Sequence, residues 1–383
     1  MLLLAARIWF PGEDKQGIAF AIFALPFILF SGIAGNLSER CPKRSVIVAM
    51  KLAEILVMLG ALVGFWMGSW PLLLTVLFVM GTQSAFFGPS KYGIVPELVE
   101  RRGLLSANGV ITMTTFLAIL SGQAVAGPLL DHFPNALWIG GSVCVAIAIL
   151  GTAVSLGITR TPATRPESRV GWNPFGGLFG TIGEMRADRR LFAIVIANSF
   201  FWFNGGVLQQ AVTGMGSPDV LDLALDENTL ISLLLVTLAS SLMLGCIVAP
   251  IVGRRLPASR LLTLGVICMV GAQLLLTLVG PVFSRAEGGY LLAHVLLGVA
   301  GFSAAFFVVP IVSFVQDAPP EGKKGKTFAV NNFLNFLFIF LAGAFYDLIS
   351  RLGLPPTVST ALASLILAGY VFRIRKVVRQ VRL

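Results

Sequence analysis

Charge is what this 383-residue chain has least of: Asp, Glu, Lys and Arg together supply 12% of its residues, about half the share in soluble domains. With 56% hydrophobic residues and a mean hydropathy of +0.88, a soluble globular fold is excluded, because it could not hide so much apolar surface. Histidine occurs only at His132 and His294, each isolated, so histidine-centred catalysis has nothing to stand on. Cys41, Cys144, Cys246 and Cys268 are equally scattered, and neither a metal site nor a disulfide framework follows from them. There is no Gly-rich phosphate loop, so ATP hydrolysis is not expected and no cofactor is expected either. The short alternating strands of a β-barrel are also missing.

What is present is a series of apolar blocks of about 20 residues, each long enough to cross a ~30 Å hydrocarbon core as a helix. The pattern predicts eleven full spans, over 16–36, 45–65, 70–87, 104–130, 136–156, 191–212, 230–252, 261–282, 290–315, 328–349 and 357–372. Residues 1–10 are apolar but reach only about 15 Å as a helix, half a crossing.

The net charge of +10 would suggest nucleic acid in a soluble protein, but here the basic residues fall in the connections between blocks and serve orientation. Sorting Lys and Arg onto alternate sides puts 24 on one side, and Arg7, Lys15, Arg285 and Arg351 on the other. The rule that basic connections face the cytoplasm makes the crowded side cytoplasmic, with the C-terminus inside. Residues 11–15 then lie outside. The reading therefore expects 1–10 to be the outer half of a first helix whose cytoplasmic half is missing. A signal peptide is the rival reading, but it lacks a basic n-region and a small-residue cleavage site.

Counting that half helix gives twelve spans, divided six and six by the long polar stretch 158–190. The expected organisation is an N-terminal helix bundle over 1–157, a cytoplasmic central loop over 158–190, and a C-terminal bundle with a basic tail over 191–383. Trp172, Phe175, Leu178, Phe179 and Ile182 precede Arg186, Arg189 and Arg190, and this spacing predicts an amphipathic helix on the cytoplasmic leaflet. The tail from Arg373 to Arg382 reads as a basic helix end attracted by anionic lipid. This all-α plan, two six-helix bundles around a midplane site, resembles that of the major facilitator superfamily.

Two kinds of residue are candidates for function. The first is the loop Gly35-Asn-Leu-Ser-Glu-Arg-Cys-Pro-Lys-Arg44, similar to the superfamily's loop signature, although Glu39 stands where Asp is usual. Glu39, Arg40 and Arg44 are expected to cap and pair there, holding the cytoplasmic side closed. The stretch Phe86-Phe-Gly-Pro-Ser-Lys-Tyr-Gly-Ile-Val-Pro-Glu-Leu98 reads as an elbow. Pro89 and Gly93 would stop the helix, Lys91 would face its carbonyl end, and Pro96-Glu97 would start a new turn. Lys91, Tyr92, Gly93 and Glu97 are thus gate or scaffold first.

The second kind is polar side chains inside the apolar blocks, where they are costly and mark pathways. Asn198, Asn204, Gln209 and Gln210 share one block, Asn331, Asn332 and Asn335 another, and Gln123 lies in a third. Asn198 and Gln209 fall on nearly one face, as do Asn331 and Asn335 at i, i+4. Lys51 and Glu54 can pair with each other. Amides can hold a zwitterion by hydrogen bonds without imposing net charge, and they can equally be interhelical glue.

The elbow, followed by Leu105-Ser-Ala-Asn-Gly109, resembles the bacterial lysophospholipid transporter family, in which a Pro-x-Lys-Tyr-Gly stretch ends the fourth span and an Ala-Asn opens the fifth. A second block, Phe307-Val-Val-Pro-Ile311, Gln316 and Lys324-Gly-Lys-Thr-Phe-Ala-Val-Asn-Asn-Phe-Leu-Asn335, is similar to that family's tenth and eleventh spans. The family is also found as the membrane half of fused acyl-glycerophosphoethanolamine acyltransferases. The resemblance implies a flippase moving lysophosphatidylethanolamine inward across the bacterial cytoplasmic membrane, amid membrane lipids. It also implies a cytosolic acyltransferase and acyl-carrier-protein synthetase as partner, no nucleic acid, and no enzyme activity in the chain itself. The family's Asp-Asn pair in the first helix is absent here. Two rivals stay open: a drug or metabolite exporter on the same fold, and the membrane anchor of a bifunctional acyltransferase.

Overall fold

A computed structural model describes residues 2–10, 15–99, 104–163, 178–253, 255–317 and 324–378. The helices are α1 (Leu2–Trp9), α2 (Gln16–Arg40), α3 (Lys43–Trp66), α4 (Trp70–Gly93), α5 (Val95–Leu98), α6 (Leu104–His132), α7 (Trp138–Leu156), α8 (Leu178–Ala187), α9 (Arg189–Gly214), α10 (Asn228–Gly253), α11 (Ala258–Leu275), α12 (Gly289–Asp317), α13 (Lys324–Arg351), α14 (Pro356–Arg373) and α15 (Arg375–Val378). Helices are what this composition must form, since in a bilayer every backbone group has to find its partner within the segment. Ten of them are long and apolar enough to cross a membrane, and the 29-residue α6 runs alongside. Leu56, Leu150 and Val154 are among many large apolar residues left exposed, as expected for side chains that meet lipid rather than water.

The helices gather into two groups. In the first, α3 packs on α4 and α7 while α2 packs on α4; in the second, α12 packs on α10 and α11, and α9 packs on α13 and α14. Two long contacts join the groups, α2 against α13 and α6 against α10. Alternate helix ends carry the basic loops, so one end of the molecule is basic and the other is termed the far end. The second group's core falls into separate clusters, one with Leu191, Ile194, Leu262, Phe307 and Leu367 toward the basic end. Val212, Leu221, Ile231 and Leu297 fill its far half, and Leu4 and Ala5 of α1 and Leu130 of α6 join them there.

At the far end the groups approach each other closely at glycines. Gly17 of α2 faces Gly343 of α13 so tightly that a Cβ on Gly17 would lie 2.6 Å from the Gly343 carbonyl oxygen, and one on Gly343 would lie 2.6 Å from that of Gly17. Among the described residues, the glycine-mediated approaches between the groups, at Gly17, Gly127, Gly206 and Gly343, all fall in this half.

Three expectations need correction. Pro89 does not stop α4, which runs through it to Gly93. A membrane helix tolerates proline because neighbouring groups re-satisfy the freed carbonyl, and Pro26, Pro128, Pro250 and Pro310 are likewise internal. The block read as 261–282 ends its α-helix at Leu275 and closes with a 3-10 turn over Leu276–Leu278, because Gly280 (φ 99°) reverses the chain. The third concerns α8: Met185 is buried and Ile182 packs in the core of the second group. Among the described side chains of this stripe Phe179 remains exposed, so its described part meets protein before it meets lipid. Trp172 and Phe175 lie outside the described residues, as do Arg101, Arg102, Arg165, Arg169, Arg254, Lys323, Arg379 and Arg382. Asp188 separates α8 from α9 by capping the latter, accepting from the Arg190 and Leu191 amides at 3.0 and 3.1 Å.

Candidate functional site

The amides of α9 and α13 meet. The Asn198 side-chain nitrogen donates to Oδ1 of Asn331 at 3.0 Å and of Asn335 at 3.3 Å, and the Ser199 hydroxyl donates to the same Asn335 oxygen at 3.1 Å. Asn198 is 2% exposed, and Asn331 and Asn335 are 7% exposed, so one helical turn of α13 presents both acceptors to one donor, as the i, i+4 spacing requires. Asn198 Oδ1 is buried without a hydrogen-bond donor. One residue beyond Asn335, Phe336 stacks flat on Phe27 of α2, ring centroids 3.9 Å apart. The amide cluster therefore sits beside the seam between the two groups, with an aromatic flank.

The other candidate amides are not gathered there. Asn332 is exposed and Gln209 half-buried, while its neighbour Gln210 is fully buried and bonds the Gly206 carbonyl at 3.1 Å. Asn204 lies deeper along α9, against the Met269 sulfur at 3.8 Å. Gln123, on α6, keeps a buried Oε1 with no donor. A second polar cluster crosses the first group. Lys51 Nζ pairs with Glu54 Oε2 at 2.7 Å, and Gln83 of α4 donates to that oxygen at 3.5 Å and to the Met50 carbonyl at 3.1 Å. Sequence reasoning paired Lys51 with Glu54 but passed over Gln83, although an amide in the middle of a hydrophobic span was signal enough.

At the basic end the elbow is real but differently wired. Glu97, in the first turn of α5, forms an ion pair with Lys43 at the start of α3. The Lys43 side chain is only 7% exposed and that of Glu97 24%. Gly93 makes the room: a Cβ there would lie 3.0 Å from Lys43 Cε. Lys91 donates to the Thr115 hydroxyl of α6 at 3.1 Å and lies over the exposed ring of Tyr92, 5.2 Å from its centroid. Arg44 crosses to the end of α7 and donates to the carbonyls of Leu156 at 2.8 Å and Ile158 at 2.6 Å, a cation at a helix C-terminus. Arg40 is exposed, Gly35 has open space around it, and the Glu39 side chain lies outside the described residues. These contacts stiffen the basic end within the first group, and Lys43 does more there than its reading as one more basic residue implied.

Removing the carboxylate weakens the compensation of a nearly buried ammonium, so Glu97→Gln is expected to lower stability by roughly 1–3 kcal/mol. Joining it to Lys43→Met should recover part of that loss, which thermal melts of the single and double variants in detergent will measure. A double variant as unstable as the sum of the singles refutes the coupling.

The same architecture occurs in solved transporters. A POT family transporter crystallised with 5-aminolevulinic acid superposes with a TM-score of 0.73 at 13% identity, covering 99% of this chain and 92% of that one. A point mutant of the nucleoside transporter NupG gives 0.70 at 12%, with 99% and 94% covered. In sequence, the chain is 27% identical over 363 residues to the lysophospholipid transporter LplT of Photorhabdus laumondii, covering 92% of this chain and 84% of that protein. It is 29% identical over 367 residues to the LplT of Klebsiella pneumoniae, covering 93% and 84%. The sequence profile of the Major Facilitator Superfamily matches residues 11–343, and with two helix groups meeting along α2–α13 and α6–α10 the chain belongs to that superfamily.

Proposed function

We propose that this protein carries lysophospholipids, lysophosphatidylethanolamine foremost, from the outer to the inner leaflet of a bacterial cytoplasmic membrane, with its basic end and C-terminus in the cytoplasm. The observation that carries the reading is kinship along nearly the whole chain with proteins of that named activity. The charge asymmetry of the connections supports the orientation, and the proposed product is an inner-leaflet lysolipid ready for a cytosolic acyltransferase. The close approaches at Gly17, Gly127, Gly206 and Gly343 support reading this conformation as the cytoplasm-facing one of an alternating-access cycle.

Such a cargo needs a small polar pocket beside an apolar flank. Asn198, Asn331 and Asn335 are proposed to receive the headgroup, with Gln123, Asn204, Gln209 and Asn332 along its route. The donor-less Asn198 Oδ1 suits an ammonium, and Phe27 and Phe336 suit the acyl chain. Amides compensate a desolvated headgroup without fixing a counter-charge. Gly35, Glu39, Arg40, Arg44, Lys91, Tyr92, Gly93 and Glu97 are assigned to the moving basic-end frame.

Proteoliposomes holding labelled lysophosphatidylethanolamine in one leaflet test the assignment. The protein is expected to speed exchange at least tenfold over empty vesicles. Exchange at the empty-vesicle rate, with efflux of a small hydrophobic dye instead, replaces the lipid cargo with an exporter's.

A further inference from the structure

Asp131 stands in the last turn of α6, the wrong end of a helix for an acid, where the macrodipole disfavours negative charge. Its surroundings explain the position. One carboxylate oxygen accepts from the Asn228 amide at 2.8 Å and from its side-chain nitrogen at 3.0 Å. The other accepts from the Thr229 amide at 2.7 Å and its hydroxyl at 2.5 Å. Asn228 and Thr229 open α10, so an acid of the first helix group caps a helix of the second and supplies four hydrogen bonds that neither group can make alone.

A second contact lies one turn below. The Gly127 amide donates to the Ser232 hydroxyl of α10 at 2.9 Å. Any side chain at 127 would overlap the Asn228 carbonyl, so the backbones touch only because this residue has none. Beside them, Arg285 grips Glu227 through both guanidinium nitrogens at 2.5 and 2.6 Å. That bond raises the guanidinium further above its already high ordinary value, and the Glu227 carboxylate also accepts from the Ala224 amide at 2.9 Å, so it is engaged away from the amides that Asp131 caps.

We propose that Asp131 is the bolt of the far face: its carboxylate on the α10 N-terminus holds that face shut, and outer-leaflet cargo loads only when the bolt withdraws. The proposal rests on the reading above for which side opens. The bolt itself is a conformational claim that holds for any cargo, so its test uses no lipid substrate.

Spin labels are placed at the exposed far-end positions Phe133 and Leu225, and in a second sample at the exposed basic-end positions Arg160 and Arg373, after the four cysteines have been replaced. Pulsed dipolar distances are then recorded in nanodiscs. Asp131→Ala is expected to raise the population with a long far-end distance by roughly tenfold, the change a lost capping acid gives, and to shorten the basic-end distance in step. Asp131→Asn, which keeps one acceptor, falls between. Thr229→Val, which removes only a hydroxyl, shifts both distances slightly in the same sense and guards against misfolding of the first variant. A structural role alone broadens both distances without opposing shifts, and that result overturns the proposal, as do distances that stay at wild-type values in all three variants.

Discussion

Asn331→Leu combined with Asn335→Leu leaves the protein inserted and folded but brings lysophosphatidylethanolamine transfer down to the empty-vesicle rate. The two halves of that expectation have different physical sources. Folding survives because interhelical hydrogen bonds in membranes average only about 0.6 kcal/mol, and Ser199 keeps its bond to the Val195 carbonyl at 3.1 Å. The Asn198 nitrogen loses both acceptors, and the two leucines offset part of that through packing, for a net loss of roughly 1–2 kcal/mol. Transfer does not survive, because a charged headgroup that loses two hydrogen bonds at about 1.5–3 kcal/mol each crosses at least a hundredfold more slowly. Gel filtration and a melt establish folding, and vesicle exchange gives the rate. Unchanged exchange by a well-folded double variant reduces the three asparagines to interhelical glue.

Gly343→Leu is expected to be nearly as damaging, by a different route. A Cβ there already lies 2.6 Å from the Gly17 carbonyl oxygen and 2.8 Å from the Ala21 nitrogen, distances that real side chains do not reach. The wedge leaves two outcomes: α2 and α13 part at the far end, or the fold yields. Overpacking of this kind costs about 1–3 kcal/mol, enough to move a two-state equilibrium roughly fivefold to a hundredfold or more away from the state with the far end closed. Exchange is expected to fall more than tenfold, with far-end positions on α2 and α13 becoming reactive to an impermeant maleimide. Gly343→Ala should show the same direction with a smaller effect. A leucine variant with wild-type exchange and wild-type melting would falsify the tight seam.

The helices were legible because an apolar run of 20 residues in a bilayer has one stable backbone solution, and 24 basic residues on alternate connections pointed to which helix ends share a side. The pairing of Asn331 with Asn335 was legible from helical spacing alone, and both reach the Asn198 picked out on another helix. Contacts across the chain were not legible. Lys43 and Glu97 are 54 positions apart, and no local pattern connects them. Asp131 was passed over in the sequence, although an acid at the end of a helix, where its charge is unfavourable, is the kind of signal that asks for an outside partner. For α8, the spacing of Phe179 and Ile182 gave an apolar stripe but could not say whether lipid or protein would cover it; Met185, on the same stripe, is covered by protein.

The prolines inside five of the long helices give the protein an uneven elasticity. Each removes one rung of its ladder and leaves a carbonyl to be served from elsewhere, so bending concentrates at these points while the turns between them behave as stiff rods. Three of them, Pro26 on α2, Pro128 on α6 and Pro250 on α10, belong to helices that bridge the two groups. Those helices can flex near the places where the groups meet without any of the hydrophobic core being rebuilt, and the compliance is written into covalent geometry rather than into a loop.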